Sequence, residues 1–177
     1  MKRRHFLQTT SIAAGGMWAF PSKNLSAQSV DSDQLRRIDE TPVLRPGYLR
    51  EPIIIESVEL LRNKSNFLVR IRSKDGAESV TAPNSLRLKD CYPIFNNRVR
   101  RFFVGKNACK IESLLNELYR FSSNYKWQGL AFWVCQAALE MGVLDLIGKV
   151  RGVPLGELFG KIRQRDIAIY RASGNRR

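Results

Sequence analysis

The side chains able to do acid, base or metal chemistry are sparse in this chain and badly spaced for it. The only histidine, His5, sits beside an arginine pair near the N-terminus, so everything after it lacks an imidazole. That removes Ser-His-Asp and Cys-His catalysis and most His-ligated metal sites. Cys91, Cys109 and Cys135 form no Cys-x-x-Cys pair, and one of them stays unpaired in any connectivity. Cys91 and Cys109 could join in an oxidising compartment, but buried free thiols fit the spacing equally well. Glu140 and Asp145 lie five positions apart, which at about 100° per residue separates them around a helix and leaves them capping or ion-pairing roles. Gly105-Lys106 lacks the further glycines and the Ser/Thr of a phosphate loop and reads as a turn approaching a helix.

Charge narrows the partner classes. The formal net charge is +14; the first 27 residues contribute Lys2, Arg3, Arg4 and Lys23 and no acid, so the remainder carries +10. The excess concentrates in Arg87 to Arg120, with eight Lys/Arg against three acids, and in Lys149 to Arg177, with eight against two. Such stretches attract polyanions. Yet the charges alternate with core-type apolar residues and follow no zinc-finger, aromatic-platform or basic-zipper pattern, which argues against nucleic acid and for a solvated basic face. A self-associating homo-oligomer is the other partner this surface admits.

The ends of the chain differ in character from its middle. Arg3-Arg4 ahead of Phe6-Leu7, followed by a weakly apolar run from Thr9 to Phe20, resembles a twin-arginine export signal over residues 1–27, so a periplasmic location is expected. The run is too short and polar for a stable membrane span. Residues 28–52 are polar and broken by Pro42, Pro46, Gly47 and Pro52, the composition of a linker.

The elements that must position any site begin at Ile53. Ile53 to Leu61 and Phe67 to Ser73 read as strands, the second alternating Phe67, Val69 and Ile71 inward. Arg62 to Asn66 connects them, and Asp75-Gly76 turns into a third strand near Ala77 to Ala82. The pattern becomes helical through Leu88 to Phe103, then over Ile111, Leu114, Leu115 and Leu118, with Asn107 as the capping residue. A longer helix places Leu130, Trp133, Val134, Ala137, Ala138, Met141 and Leu144 on the face expected to be core, with Ala137, Ala138 and Gly142 allowing close approach. Gly152 ends it, Pro154 opens a short helix to Phe159, Gly160 closes that, and Asp166 to Tyr170 reads as a final strand.

Gln136-Ala137-Ala138-Leu139-Glu140, Leu144-Asp145-Leu146-Ile147-Gly148-Lys149 and Gly152-Val153-Pro154-Leu155-Gly156-Glu157-Leu158-Phe159-Gly160 together resemble the signature of the mandelate racemase and muconate lactonizing enzymes, a branch of the enolase superfamily. The likeness runs from about Ile53 to Tyr170. Cys135, Gly142 and Val143 depart from it by small-for-small changes, and Glu78-Ser79-Val80 replaces a glycine-containing strand that usually ends in glutamate.

The resemblance implies an α+β fold: an enolase-like N-terminal capping domain over residues 53–160, with a three-stranded antiparallel sheet and a helical bundle. The first strand of an incomplete (β/α) barrel would then occupy 161–177. It implies that Arg62 to Asn66 and Ala82 to Ser85 are the two cap loops that touch a small carboxylate or acid-sugar substrate, with Lys64, Ser65 and Asn84 as candidate contacts. The reaction it implies is Mg²⁺-dependent removal of a proton next to a carboxylate, by a racemase, dehydratase or cycloisomerase. The metal ligands and the catalytic base of that reaction belong to later barrel strands, and beyond Asp166 the sequence has no Asp or Glu. No catalytic or metal-ligating residue is therefore assigned. The expectation is an N-terminal fragment inactive without a barrel, with a stand-alone basic binding or oligomerisation module as the alternative.

Overall fold

Phe67, Val69, Ile71 and Ser73 turn one face of a strand inward while Leu68, Arg70 and Arg72 turn outward, and this alternation sets the architecture. The computed structural model describes residues 31–122 and 129–169. Strands β1 (Ile55–Asn63), β2 (Asn66–Ser73) and β3 (Glu78–Thr81) form one antiparallel sheet in the order β1-β2-β3. Asn63 pairs with Asn66 and Val58 with Ile71, with an irregularity between Ile55 and Ser57. Val69 pairs with Thr81 and Arg72 with Glu78. On the outer face, Glu59 pairs with Arg70, and Arg72 with Glu78 at 2.7 Å.

Helices cover the inner face. Helix α2 (Ser85–Ile94) holds Pro93, which has no N–H to donate, and the chain widens directly afterwards into a π turn over Phe95–Val99 before α3 (Arg100–Phe103). Asn107 caps the 3₁₀ turn Ala108–Lys110 that leads into α4 (Ile111–Arg120), its Oδ1 accepting from Cys109 N at 3.1 Å and from Ile53 N at 3.0 Å. Helix α5 (Leu130–Arg151) crosses the sheet. It closes on Gly152 at φ +66, where the Val153 N–H reaches Gly148 O at 3.0 Å, and α6 (Leu155–Phe159) follows Pro154. Among the described residues α5 is the one helix long and apolar enough to cross a membrane, but half of that window is buried inside the domain, which makes it a core helix.

The face of α5 that packs is not the one its sequence suggested. The buried stripe is Phe132, Cys135, Ala138, Leu139, Gly142, Val143 and Leu146, whereas Leu130, Trp133, Ala137 and Met141 are exposed. Of the expected face only Ala138 and Leu144 are buried. The helix is apolar nearly all round, so periodicity cannot choose a side. The sheet chooses it: a Cβ on Gly142 would stand 2.8 Å from Ile71 Cδ1, so this position takes the closest approach to β2.

Two further expectations change. Within the stretch read as a linker, Ser32–Glu40 form helix α1. Leu44 is buried, its N–H donating to Glu112 Oε1 at 2.8 Å; Arg45 N reaches Leu158 O at 2.7 Å, and Pro46–Tyr48 form a 3₁₀ turn. Buried Leu44 and these backbone bonds help to fix this segment, a signal that proline-rich composition hides. Residues 166–169 of the expected last strand join no ladder among the described residues, with Ile169 exposed; a strand needs a neighbour to pair with. Tyr170 and the proposed leader lie outside the described residues.

Candidate functional site

The β1-β2 turn and the β3-α2 connection meet at one end of the sheet. Lys64 takes φ +56 at the tip of a two-residue turn, an uncommon conformation for a side-chain-bearing residue, and its carbonyl accepts from Arg62 Nε at 2.8 Å. The Arg62 guanidinium is thereby held over the Phe67 ring, 5.5 Å from its centroid. Strand β3 stops at Thr81, so the Phe67 N–H has no ladder partner there and donates instead to Ser85 Oγ at 2.8 Å. That bond ties the two loops together.

Between them lies a cleft of about 560 Å³ whose walls include Arg62, Asn63, Asn66, Ala82, Pro83 and Ser85. It offers a guanidinium, two amides and a hydroxyl, with no carboxylate in its lining. Such a set can bind and orient an anionic, hydroxylated molecule; it has no group to take up a proton near neutral pH. A second hollow of about 430 Å³, lined by Thr81, Asn84, Val134, Ala137 and Met141, shares Ala82 and Pro83 with the first. The exposed apolar strip of α5 thus continues into the loop cleft.

The structure therefore brings together the two loops singled out in the sequence but distributes their residues differently. Lys64 and Ser65 are exposed at the hairpin tip and are not in the cleft lining. Asn84 lines the neighbouring hollow, and its side-chain oxygen accepts from Arg87 N at 3.2 Å, capping α2. Arg62, Asn66 and Ser85, within the same loops but not chosen from sequence, supply the polar walls. The signal for Arg62 was its place two residues before the tip of a turn, directly across from inward-facing Phe67.

The carboxylates considered for a separate site are dispersed. Asp145 pairs with Lys149 at 2.9 Å along α5, and Glu140 is half-buried, with burial raising its carboxyl above the ordinary range. Among the described residues no three His, Cys, Asp or Glu side chains come together to hold a metal ion. These residues do not fit a Mg²⁺ cage, and no catalytic step is derived through one. Gly105, at φ +81, forms a turn whose N–H donates to Ile55 O at 2.8 Å, while Ile55 N reaches Lys106 O at 2.9 Å; this ties the turn to β1 rather than to a phosphate. All three cysteines are free: Cys109 Sγ donates to Glu51 O at 3.1 Å and Cys135 Sγ to Cys91 O at 3.2 Å.

Residues 39–160 match the family model described as mandelate racemase / muconate lactonizing enzyme, N-terminal domain. A D-galactonate dehydratase family member of Pseudarthrobacter chlorophenolicus is 30% identical over 125 residues, which is 69% of this chain and 30% of that protein. The mandelate racemase/muconate lactonizing protein from Paracoccus denitrificans PD1222 complexed with magnesium is similar at a TM-score of 0.54 and 21% identity, covering 63% of this chain and 31% of that one. A muconate cycloisomerase from Azorhizobium caulinodans is similar at 0.51 and 17%, covering 64% and 32%. These solved structures establish the fold. The match spans at most 30% of the length of these curated relatives. With more than half of its length inside the family model and the sheet-and-helix arrangement in agreement, the chain belongs to the mandelate racemase / muconate lactonizing enzyme family, whose N-terminal domain it carries.

Proposed function

We propose that this domain is the substrate-selecting cap of an enzyme that removes a proton next to a carboxylate, acting as a racemase, acid-sugar dehydratase or cycloisomerase. The observation that carries this reading is the single cleft formed by the two loops, with Arg62 held at its wall by Phe67 and the Lys64 carbonyl. An arginine fork suits a carboxylate, and Asn63, Asn66 and Ser85 suit the hydroxyls of an acid sugar. Magnesium and the proton-abstracting base belong, in this reading, to a barrel over which the cap closes. The apolar strip Trp133, Ala137 and Met141 beside the cleft suits burial in such an assembly.

Hydrogen–deuterium exchange alpha to the carboxylate tests it. The purified chain is incubated in D₂O with Mg²⁺ and a panel of acid sugars, alone and together with the separately expressed barrel of the Pseudarthrobacter relative. Exchange is expected only with the barrel, with Arg62→Ala raising KM. Exchange by the chain alone, or an unchanged KM in that variant, would sink the proposal.

The net charge of +14 and the same exposed strip favour a second reading, a basic module that binds an anionic partner or its own copy. Steep salt dependence of heparin binding or concentration-dependent sedimentation would support it, because counterion release weakens binding as salt rises. Export is part of the first reading and rests on Arg3-Arg4 and the run after them; a reporter fused behind residue 30 should reach the periplasm and lose that ability when both arginines become lysine.

A further inference from the structure

Arg98 is 7% exposed and, among the described residues, has no carboxylate partner. It lies in the π turn that follows Pro93, where the widened backbone turns both Arg98 and Val99 inward. Nη2 donates to Leu118 O at the long distance of 3.5 Å, and among the described residues neither Nε nor the nearby Asn96 Oδ1 has a partner. A guanidinium carries five N–H donors, and leaving a buried cation this poorly satisfied is costly. Burial accordingly pushes the Arg98 pKa down.

The same side chain lines a cleft of about 300 Å³ with Pro93, Ile94, Asn97, Phe121 and Ser122. This cleft shares no lining residue with that of the two loops. Ser122 takes φ +52, a strained conformation for a side-chain-bearing residue, at the cleft wall. The cleft offers a fork for a planar oxyanion, an amide and a hydroxyl beside it, and apolar walls for whatever the oxyanion is attached to. Its volume lies at the lower end of small-molecule sites, about 300 Å³ and upward.

We propose that the cleft between the π turn and the end of α4 binds a small organic carboxylate, its two oxygens on the Arg98 guanidinium and its apolar body against Pro93, Ile94 and Phe121. Leu118 O alone does not explain the arrangement, since capping the last turn of α4 needs one donor and leaves the others without a partner. A bare phosphate would meet the fork but waste the apolar walls.

The test uses the purified full chain and follows Tm with benzoate, benzamide and inorganic phosphate, at ionic strength held constant with sodium chloride. Benzoate is expected to raise Tm by several degrees at saturation, benzamide to have no effect, and phosphate to act at least about tenfold more weakly by concentration. Arg98→Met should abolish the benzoate response while folding at least as stably as wild type, because an apolar residue replaces an unpaired buried charge. Asn97→Asp, at an exposed position, should fold normally and lose the response by supplying its own carboxylate. A benzoate response that survives in either variant, an equal response to benzamide, a stronger one to phosphate, or an Arg98→Met chain that fails to fold would each overturn the assignment.

Discussion

The hydroxyl of Ser79 donates to the carbonyl of Gly142 at 2.8 Å, joining the edge strand to the middle of the longest helix. Both residues are buried. Gly142 lets α5 descend onto Ile71, which brings its carbonyl within reach of the Ser79 hydroxyl as a second donor beside the helix's own. Ser79→Ala should lower stability by about 1 kcal/mol in urea unfolding, the usual net value of one buried hydrogen bond. Gly142→Leu should cost about 1–3 kcal/mol or more, since the added atoms have no room beside Ile71.

Arg151 gathers the segment before the sheet onto the end of α5. Its Nε donates to Tyr48 O at 2.8 Å, Nη1 to Glu51 Oε2 at 3.2 Å, and Nη2 to Glu51 O, with Cys109 Sγ 3.8 Å away. Lysine keeps the charge but not the fork. Arg151→Lys is expected to lose about 1–2 kcal/mol and to speed amide exchange of residues 48–53 more than that of β2.

Burial pushes the Cys135 thiol up to about 12 from its ordinary 9.0. A folded-state pKa above the unfolded one means that the neutral thiol's stabilisation is complete below about pH 9. It is lost as pH rises toward 12, by up to about 1.4 kcal/mol per pH unit. The stability gap between wild type and Cys135→Ala should therefore be constant from pH 7 to 8.5 and narrow above pH 9, as read by urea titrations at each pH. The same burial should leave this thiol unreactive to an alkylating reagent at pH 8 until the chain is unfolded.

The loop residues separate by role. Asn84 caps α2, so Asn84→Ala should lose about 1 kcal/mol of stability. Lys64→Ala and Ser65→Ala, both exposed, should change stability by less than about 0.5 kcal/mol. Thermal melts of the three variants check this before any kinetic effect is attributed to them.

The sequence by itself determined the sheet and most helix ends. Phe67, Val69 and Ile71 alternate against outward Leu68, Arg70 and Arg72, Asp75-Gly76 has turn chemistry, and Gly152-Val153-Pro154 stops a helix. Each is a local rule acting within a few residues, so order along the chain suffices to read it. The two loops of the candidate site were legible as a strand-strand and a strand-helix connection, and the resemblance singled them out as a site.

Tertiary structure alone decided which residues those loops point into their cleft, which side of α5 is core and what holds residues 44–51. Lys64 was a candidate contact through the resemblance, yet the hairpin tip carries it outward while Arg62 is held at the cleft wall over Phe67. Helix α5 is apolar on almost every side, and the contact of Gly142 with Ile71, 71 positions apart in sequence, orients it. Arg98 looked like one more cation in a basic stretch until the π turn buried it. For α5 and for residues 44–51 the deciding partner is distant in sequence, and shape complementarity between distant segments leaves no periodic trace in either one.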